Sequence, residues 1–209
     1  MTTKPMTLFW SSRSPFVRKV MIVAHEVNVV DRIDAIRVAV HPANPNEQVM
    51  ASHPLGKIPT LVLENGTAVF DSQVICQYLD ECYGNGTLIP STAAKWAVLT
   101  RHAMIDALLE TALVWRLEAA RPEGQRQQNV IAASRRRIRS GLDALERGSR
   151  FGEGADFTLD QVAAVAALAY LDFRLGELAW REHAPRLSEW FDNASRRPSV
   201  VATTYVDAS

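Results

Sequence analysis

Three short strings hold the side chains that could do chemistry. Ser11-Ser12-Arg13-Ser14-Pro15 places three hydroxyls within four residues, and a Ser directly before a Pro marks a helix N-cap with proline in the first helical position. Asp71-Ser72 opens a stretch that carries Val74, Ile75, Tyr78, Leu79 and Cys82 at helical spacing. A helix N-terminus offers N–H groups without intrahelical partners and a partial positive charge, so this string could hold an anion; its plainer use is a cap worth about 1 kcal/mol. The third string, His53-Pro54-Leu55-Gly56-Lys57-Ile58-Pro59-Thr60-Leu61, leads into an apolar run, where Pro59 taken alone reads as a trans proline opening an edge strand. Cys76 and Cys82 are the only cysteines, and their spacing turns them away from each other on a helix. They form neither a redox pair nor a metal site, and ordinary helix packing is expected of each.

The elements that must position these strings follow from periodicity. Met6 to Trp10 is an apolar run of strand length, and a helix is predicted from Ser14-Pro15 to about Glu26. Asp31 to Val38 is mostly β-branched; Pro59 to Leu63 and Thr67 to Phe70 flank Asn65-Gly66, a strong hairpin signal. From residue 91 onward only helices are predicted: Met104, Leu108, Ala112 and Trp115 share one stripe, and Ile131, Ile138, Leu142 and Leu145 another. Val162 to Leu171 is apolar nearly all round, as befits a buried central helix, and Thr158-Leu159-Asp160-Gln161 fits a capping box at its start. A last amphipathic helix carries Leu187, Trp190 and Phe191, with Pro198 ending it. The order predicts a βαβ-ββα domain over 1–84, a linker over 85–90 rich in turn formers, and an all-helical domain over 91–209.

Composition narrows the function classes. The 23 basic and 23 acidic residues cancel, so there is no net field to gather nucleic acid or acidic lipid. The arginines of Arg135-Arg136-Arg137-Ile138-Arg139 surround a core position and read as a solvated helix face rather than a binding patch. Met1-Thr2-Thr3-Lys4-Pro5-Met6-Thr7 lacks the apolar stretch of a secretory signal, and no apolar run approaches the roughly 20 residues a bilayer requires. A cytoplasmic protein without membrane, nucleic-acid or metal partners is expected.

Taken together, the element order and the three strings resemble the glutathione transferase superfamily, with its thioredoxin-like N-terminal domain and all-helical C-terminal domain. The resemblance spans nearly the whole chain, and its specific motifs lie within residues 9–79; Ala169-Tyr170-Leu171-Asp172-Phe173-Arg174 also looks like a bacterial member. It implies that Pro59 is cis, turning the Ile58 backbone outward to pair with the tripeptide glutathione as an extra strand at a sheet edge. It places the γ-glutamyl carboxylate on the N–H and hydroxyl of Ser72 and the γ-glutamyl ammonium on Asp71. Phe16, Lys57, Ile58 and Pro59 complete the glutathione-binding set, with Lys57 a candidate for the glycine carboxylate. His53 departs from the Asn usual before this proline, and Gln161 from the Asp usual in the capping box.

The resemblance also implies a hydroxyl that activates the glutathione thiol. A free thiol has a pKa of about 8.5, so half-ionising it at pH 7 needs about 1.5 units, or roughly 2 kcal/mol. One hydrogen bond to a charged acceptor supplies about 1.5 to 3 kcal/mol, and a helix N-terminus about 0.3 to 1. A single serine suffices. Ser-Pro-Phe points to Ser14, as in plant-type and related serine enzymes; an isomerase-like alignment of Ser-Ser-x-Ser points to Ser11, with Ser12 third. Arg18, one helical turn past Ser14, could add positive potential near the thiol, with an exposed salt bridge as the plainer reading. Leu8 and Phe9 exclude the strand-end tyrosine some relatives use.

The activity so implied is conjugation of glutathione to a small apolar electrophile, held between Trp10 or Phe16 and residues near Met104, Leu108 and Trp115. Two alternatives share the fold: a glutathione-dependent isomerase of the maleylacetoacetate type, and a non-catalytic protein that binds glutathione or an apolar ligand. A homodimer is implied, through residues 67–83 and the helices starting near Trp96.

Overall fold

The computed structural model of the protein describes residues 5–148 and 157–206. These residues group into two compact units, 5–89 with 201–206, and 90–200. The helical unit therefore stops short of the expected 91–209, because residues 201–206 join the first unit. Most of the expected linker joins it too: the buried carboxylate of Asp80 accepts the N–H groups of Leu88 (3.0 Å) and Ile89 (2.9 Å), holding that segment against its own helix. The signal-free reading of residues 1–7 rests partly on 1–4, which lie outside the described residues.

The first unit runs β1 (Met6–Trp10), α1 (Pro15–Glu26), β2 (Ile33–Arg37), α2 (Glu47–Met50), β3 (Thr60–Val62), β4 (Ala68–Val69) and α3 (Ser72–Tyr83). Its sheet has the order β2-β1-β3-β4, with β1 and β2 parallel and the other pairs antiparallel. This is the thioredoxin-like βαβ-ββα arrangement. Successive residues of a strand face opposite sides, so Leu8 and Phe9 enter different layers. Phe9 packs with Val38, Val49, Ile36, Ile58 and Val62. The hairpin turns at Asn65-Gly66, where Gly66 has φ +88°, a conformation glycine adopts without penalty.

Register brings three chain segments to one end of this sheet. Phe9 near the end of β1 pairs with Thr60 at the start of β3, and Val69 at the end of β4 pairs with Leu61. The chain leaving β1, the chain entering β3 and the chain leaving β4 thus lie at a common end. They are the Ser11–Ser14 turn, the Lys57–Pro59 segment and the start of α3.

The second unit contains α4 (Ala94–Ala119), α5 (Gln128–Arg147), α6 (Leu159–Arg174), α7 (Trp180–His183), α8 (Pro185–Ala194) and the start of α9 (Pro198–Val201). Leu159 to Leu168 are all buried, so α6 is the central helix, and its capping box forms through Thr158 and Gln161. On α5, Ile138, Leu142 and Leu145 are buried while Arg135, Arg136, Arg137 and Arg139 are exposed. Two expectations need correction. Pro198 does not end the last amphipathic helix: α8 stops at Ala194, and Pro198, which suits a first helical turn, opens α9. Cys76 is buried, as expected, but Cys82 is exposed.

Candidate functional site

The turn after β1 is built by its own serines. Ser14 is the N-cap of α1 in extended geometry (φ −87°, ψ 122°), with Pro15 following, and its Oγ accepts the Val17 N–H at 3.3 Å. A hydroxyl has one hydrogen and two lone pairs, so capping leaves the Ser14 proton available to an incoming anion. Ser11 closes the turn from the other side: its carbonyl accepts the Ser14 N–H at 3.2 Å, and its Oγ accepts the Arg13 N–H at 3.4 Å. Both hydroxyls keep a proton to donate. No acidic residue occupies the first turn of α1, so its positive end is not neutralised from within the helix.

The segment before β3 has a different construction. The Ile58–Pro59 peptide is cis, as the resemblance implied. The half-buried Ile58 side chain packs against Phe9, Val38 and Val49, while its backbone N–H and carbonyl have no hydrogen-bond partner among the described residues. One detail differs from the sequence reading: β3 lies between β1 and β4, so Ile58 extends from the end of an inner strand and not along a sheet edge. Pro59 is buried and Lys57 exposed.

Sequence reasoning missed the residues that hold this segment in place. The buried Thr60 hydroxyl donates to the Lys57 carbonyl at 2.7 Å, spanning the cis bond. Gly56 sits at φ +60°, and a Cβ there would lie 3.0 Å from Met50 Cγ. His53 is buried and stacks on Phe70 at 4.0 Å between ring centroids, while its Nδ1 accepts the Leu55 N–H at 3.1 Å. That acceptor role requires an unprotonated Nδ1. Burial pushes the His53 pKa below its ordinary value, with the nearby Lys57 charge adding to the effect. The signal for Gly56 and Thr60 was in the string, but only tertiary packing reveals the His53–Phe70 stack.

At the third segment, Asp71 caps α3 by accepting the Gln73 N–H at 2.9 Å. Its side chain is exposed, leaving the carboxylate accessible to a cation. Ser72 is buried in the first helical position, and α3, like α1, carries no acidic residue in its first turn. Phe16 is half-buried on α1, with the Lys19 ammonium 5.7 Å from its ring centroid. The structure therefore brings Ser11, Ser14, Ile58, Pro59, Asp71 and Ser72 to one end of one sheet. This end combines hydroxyl donors, an open backbone pair, an open carboxylate and two helix N-termini, a set that suits a small zwitterionic peptide with an ionisable group.

Residues 13–82 match the N-terminal domain of glutathione S-transferase, and residues 128–193 match its C-terminal domain. The chain belongs to the cytosolic glutathione transferase superfamily. It is 30% identical over 207 residues to the GST-like protein YibF of Escherichia coli, covering 95% of this chain and 98% of YibF. Among solved structures it is similar to a glutathione transferase family member from Pseudomonas fluorescens with bound glutathione, at TM-score 0.92 and 35% identity over 96% of this chain and 99% of that one. It is also similar to a glutathione S-transferase from Methylobacillus flagellatus with glutathione bound, at TM-score 0.83, 35% identity and coverage of 96% and 100%.

In the helical unit, Trp115 and Leu108, near which the electrophile was expected, pack against α5. Trp115 is buried beneath the guanidinium of Arg135, whose Cζ is 5.0 Å from its ring centroid, and buried Leu108 lies against Gly141. Packing between α4 and α5 consumes both side chains, while Met104 is half-buried. Among the described residues no cluster of His, Cys, Asp and Glu could hold a metal ion, and no helix is long and apolar enough to cross a membrane.

Proposed function

We propose that this protein binds glutathione on its sheet-bearing unit and uses a serine hydroxyl, Ser14, to stabilise the thiolate for addition to a small apolar electrophile. The observation that carries this reading is the convergence at one sheet end of the Ser14 hydroxyl, the open Ile58 backbone and the Asp71-Ser72 helix start. The Ile58 N–H and carbonyl pair with the cysteinyl backbone of the tripeptide. Asp71 takes the γ-glutamyl ammonium, Ser72 the γ-glutamyl carboxylate, and exposed Lys57 the glycine carboxylate. Bound in this way, the tripeptide would present its sulfur at the mouth of α1.

There the thiol loses its proton to solvent, and the thiolate accepts a hydrogen bond from Ser14 Oγ while that oxygen still caps Val17. The sulfur lone pair attacks an electrophilic carbon. Either a leaving group departs with the displaced electron pair, or a carbanion formed by addition takes a proton from water. Ser11 is the alternative donor, because its hydroxyl proton is also free to turn toward sulfur. Half-buried Trp10 and Phe16 offer the electrophile an apolar wall. This reading includes a homodimer, for which the exposed Phe70 before α3 and Val74 in its first turn offer apolar surface, and a cytoplasmic location.

Calorimetric titration with glutathione, followed by an assay with an activated aryl halide, tests this reading. Saturable binding and adduct formation above the uncatalysed rate are expected. Absence of binding at millimolar glutathione would contradict it. Binding without turnover would reduce the protein to a glutathione carrier, and isomerisation of a maleyl diacid without adduct would make it an isomerase.

A further inference from the structure

The turn that carries Ser11 and Ser14 is held by a segment far away in the chain. Residues 201–206 group with the sheet-bearing unit. Ser12 Oγ donates to the Val206 carbonyl at 3.0 Å. Arg18, one helical turn beyond Ser14, places its guanidinium 4.5 Å from the ring centroid of Tyr205 and shares a side-chain hydrogen bond with it. The two contacts fall on either side of Ser14, so the segment grips the turn by both flanks.

Arg18 is 7% exposed, nearly withdrawn from water. Burial lowers its pKa, and the hydrogen-bonding phenol of Tyr205 opposes that shift. A guanidinium stays protonated under these conditions, so its charge persists. Held on the first turns of α1 in a medium that screens poorly, that charge acts on an anion at the helix mouth more strongly than an exposed arginine would. Without the Tyr205 ring the Arg18 side chain would gain water and rotamer freedom, while loss of the whole segment would also remove the Val206 carbonyl from Ser12.

We propose that Tyr205 is a positioning residue for thiol activation, acting through Arg18 and, together with Val206, on the serine turn. This inference rests on the function proposed above. It assigns the segment a role in tuning the thiolate without contacting the sulfur.

The test is the pH profile of glutathione thiol ionisation in the parent, Tyr205→Phe, Tyr205→Ala, Ser12→Ala and a chain ending at Thr203, each checked by thermal unfolding. Tyr205→Ala and the shortened chain should raise the bound thiol pKa by roughly half a unit, lowering kcat below that pKa about threefold with KM for glutathione little changed. Tyr205→Phe, which keeps the ring over Arg18, should recover most of the parent value, and Ser12→Ala should lie between. A thiol pKa depressed in the parent and unchanged in Tyr205→Ala and the shortened chain overturns this inference alone. If the parent does not bind glutathione, the proposed function falls and this inference with it.

Discussion

The start of α6 and the starts of α1 and α3 solve the same physical problem in opposite ways. At α6 the capping box is closed: Thr158 and Gln161 satisfy each other's backbone N–H groups, Asp160 lies in the first turn, and Arg101 reaches that carboxylate at 2.6 Å. Charge and donors are balanced within the chain. At α1 and α3 a single side chain, Ser14 or Asp71, caps one N–H and no acidic residue enters the first turn, the carboxylate at α3 being the cap itself. A helix end balanced within the chain is built for stability. One left with unmatched donors, and at α1 with no carboxylate at the cap or in the first turn, has room for an anion from outside.

The sharpest way to break this contrast is to change the capping side chain at each helix start. Ser14→Ala should lower kcat/KM at neutral pH roughly 10- to 150-fold, the worth of one hydrogen bond to a charged sulfur. Steady-state kinetics with glutathione varied would show it. Asp71→Asn should be next: asparagine keeps the cap, yet the loss of charge should weaken glutathione binding by about tenfold in calorimetry. Thr158→Ala should do the reverse, costing about 1 kcal/mol of stability in urea unfolding while leaving kcat/KM per folded molecule unchanged.

Periodicity and turn chemistry made most of this legible. The Ser-Pro cap, the Asn-Gly hairpin and the Thr158 box each specify a local geometry through their own side chains, and each forms where it was expected. What stayed hidden depends on contacts between distant residues. Nothing in His53 announces that its ring will stack on Phe70, and nothing in Tyr205 announces Arg18. The apolar stripe of α4 was legible too, but its use was not: a stripe says that Leu108 and Trp115 are buried, and only packing shows that α5 buries them.

The smallest predicted effect concerns His53. Its folded pKa is lowered mainly by burial, so the unfolded chain binds the proton more readily. Its contribution is therefore fully present above the unfolded pKa of about 6.5 and is lost as pH falls from there toward the folded value. Protonation also removes the acceptor for the Leu55 N–H. Urea unfolding between neutral and mildly acidic pH should show this decline, and His53→Asn should flatten it.

The central claim is that a serine at the mouth of α1 sets the acidity of a bound thiol. Ultraviolet titration of the thiolate in the glutathione complex of the parent, Ser14→Asn and Ser11→Ala tests it directly. A thiol pKa near neutrality in the parent and in Ser11→Ala, returning toward about 8.5 in Ser14→Asn, is the predicted result. A depressed value that survives in Ser14→Asn and vanishes in Ser11→Ala would transfer the role to Ser11, and an undepressed value in the parent would contradict thiol activation altogether.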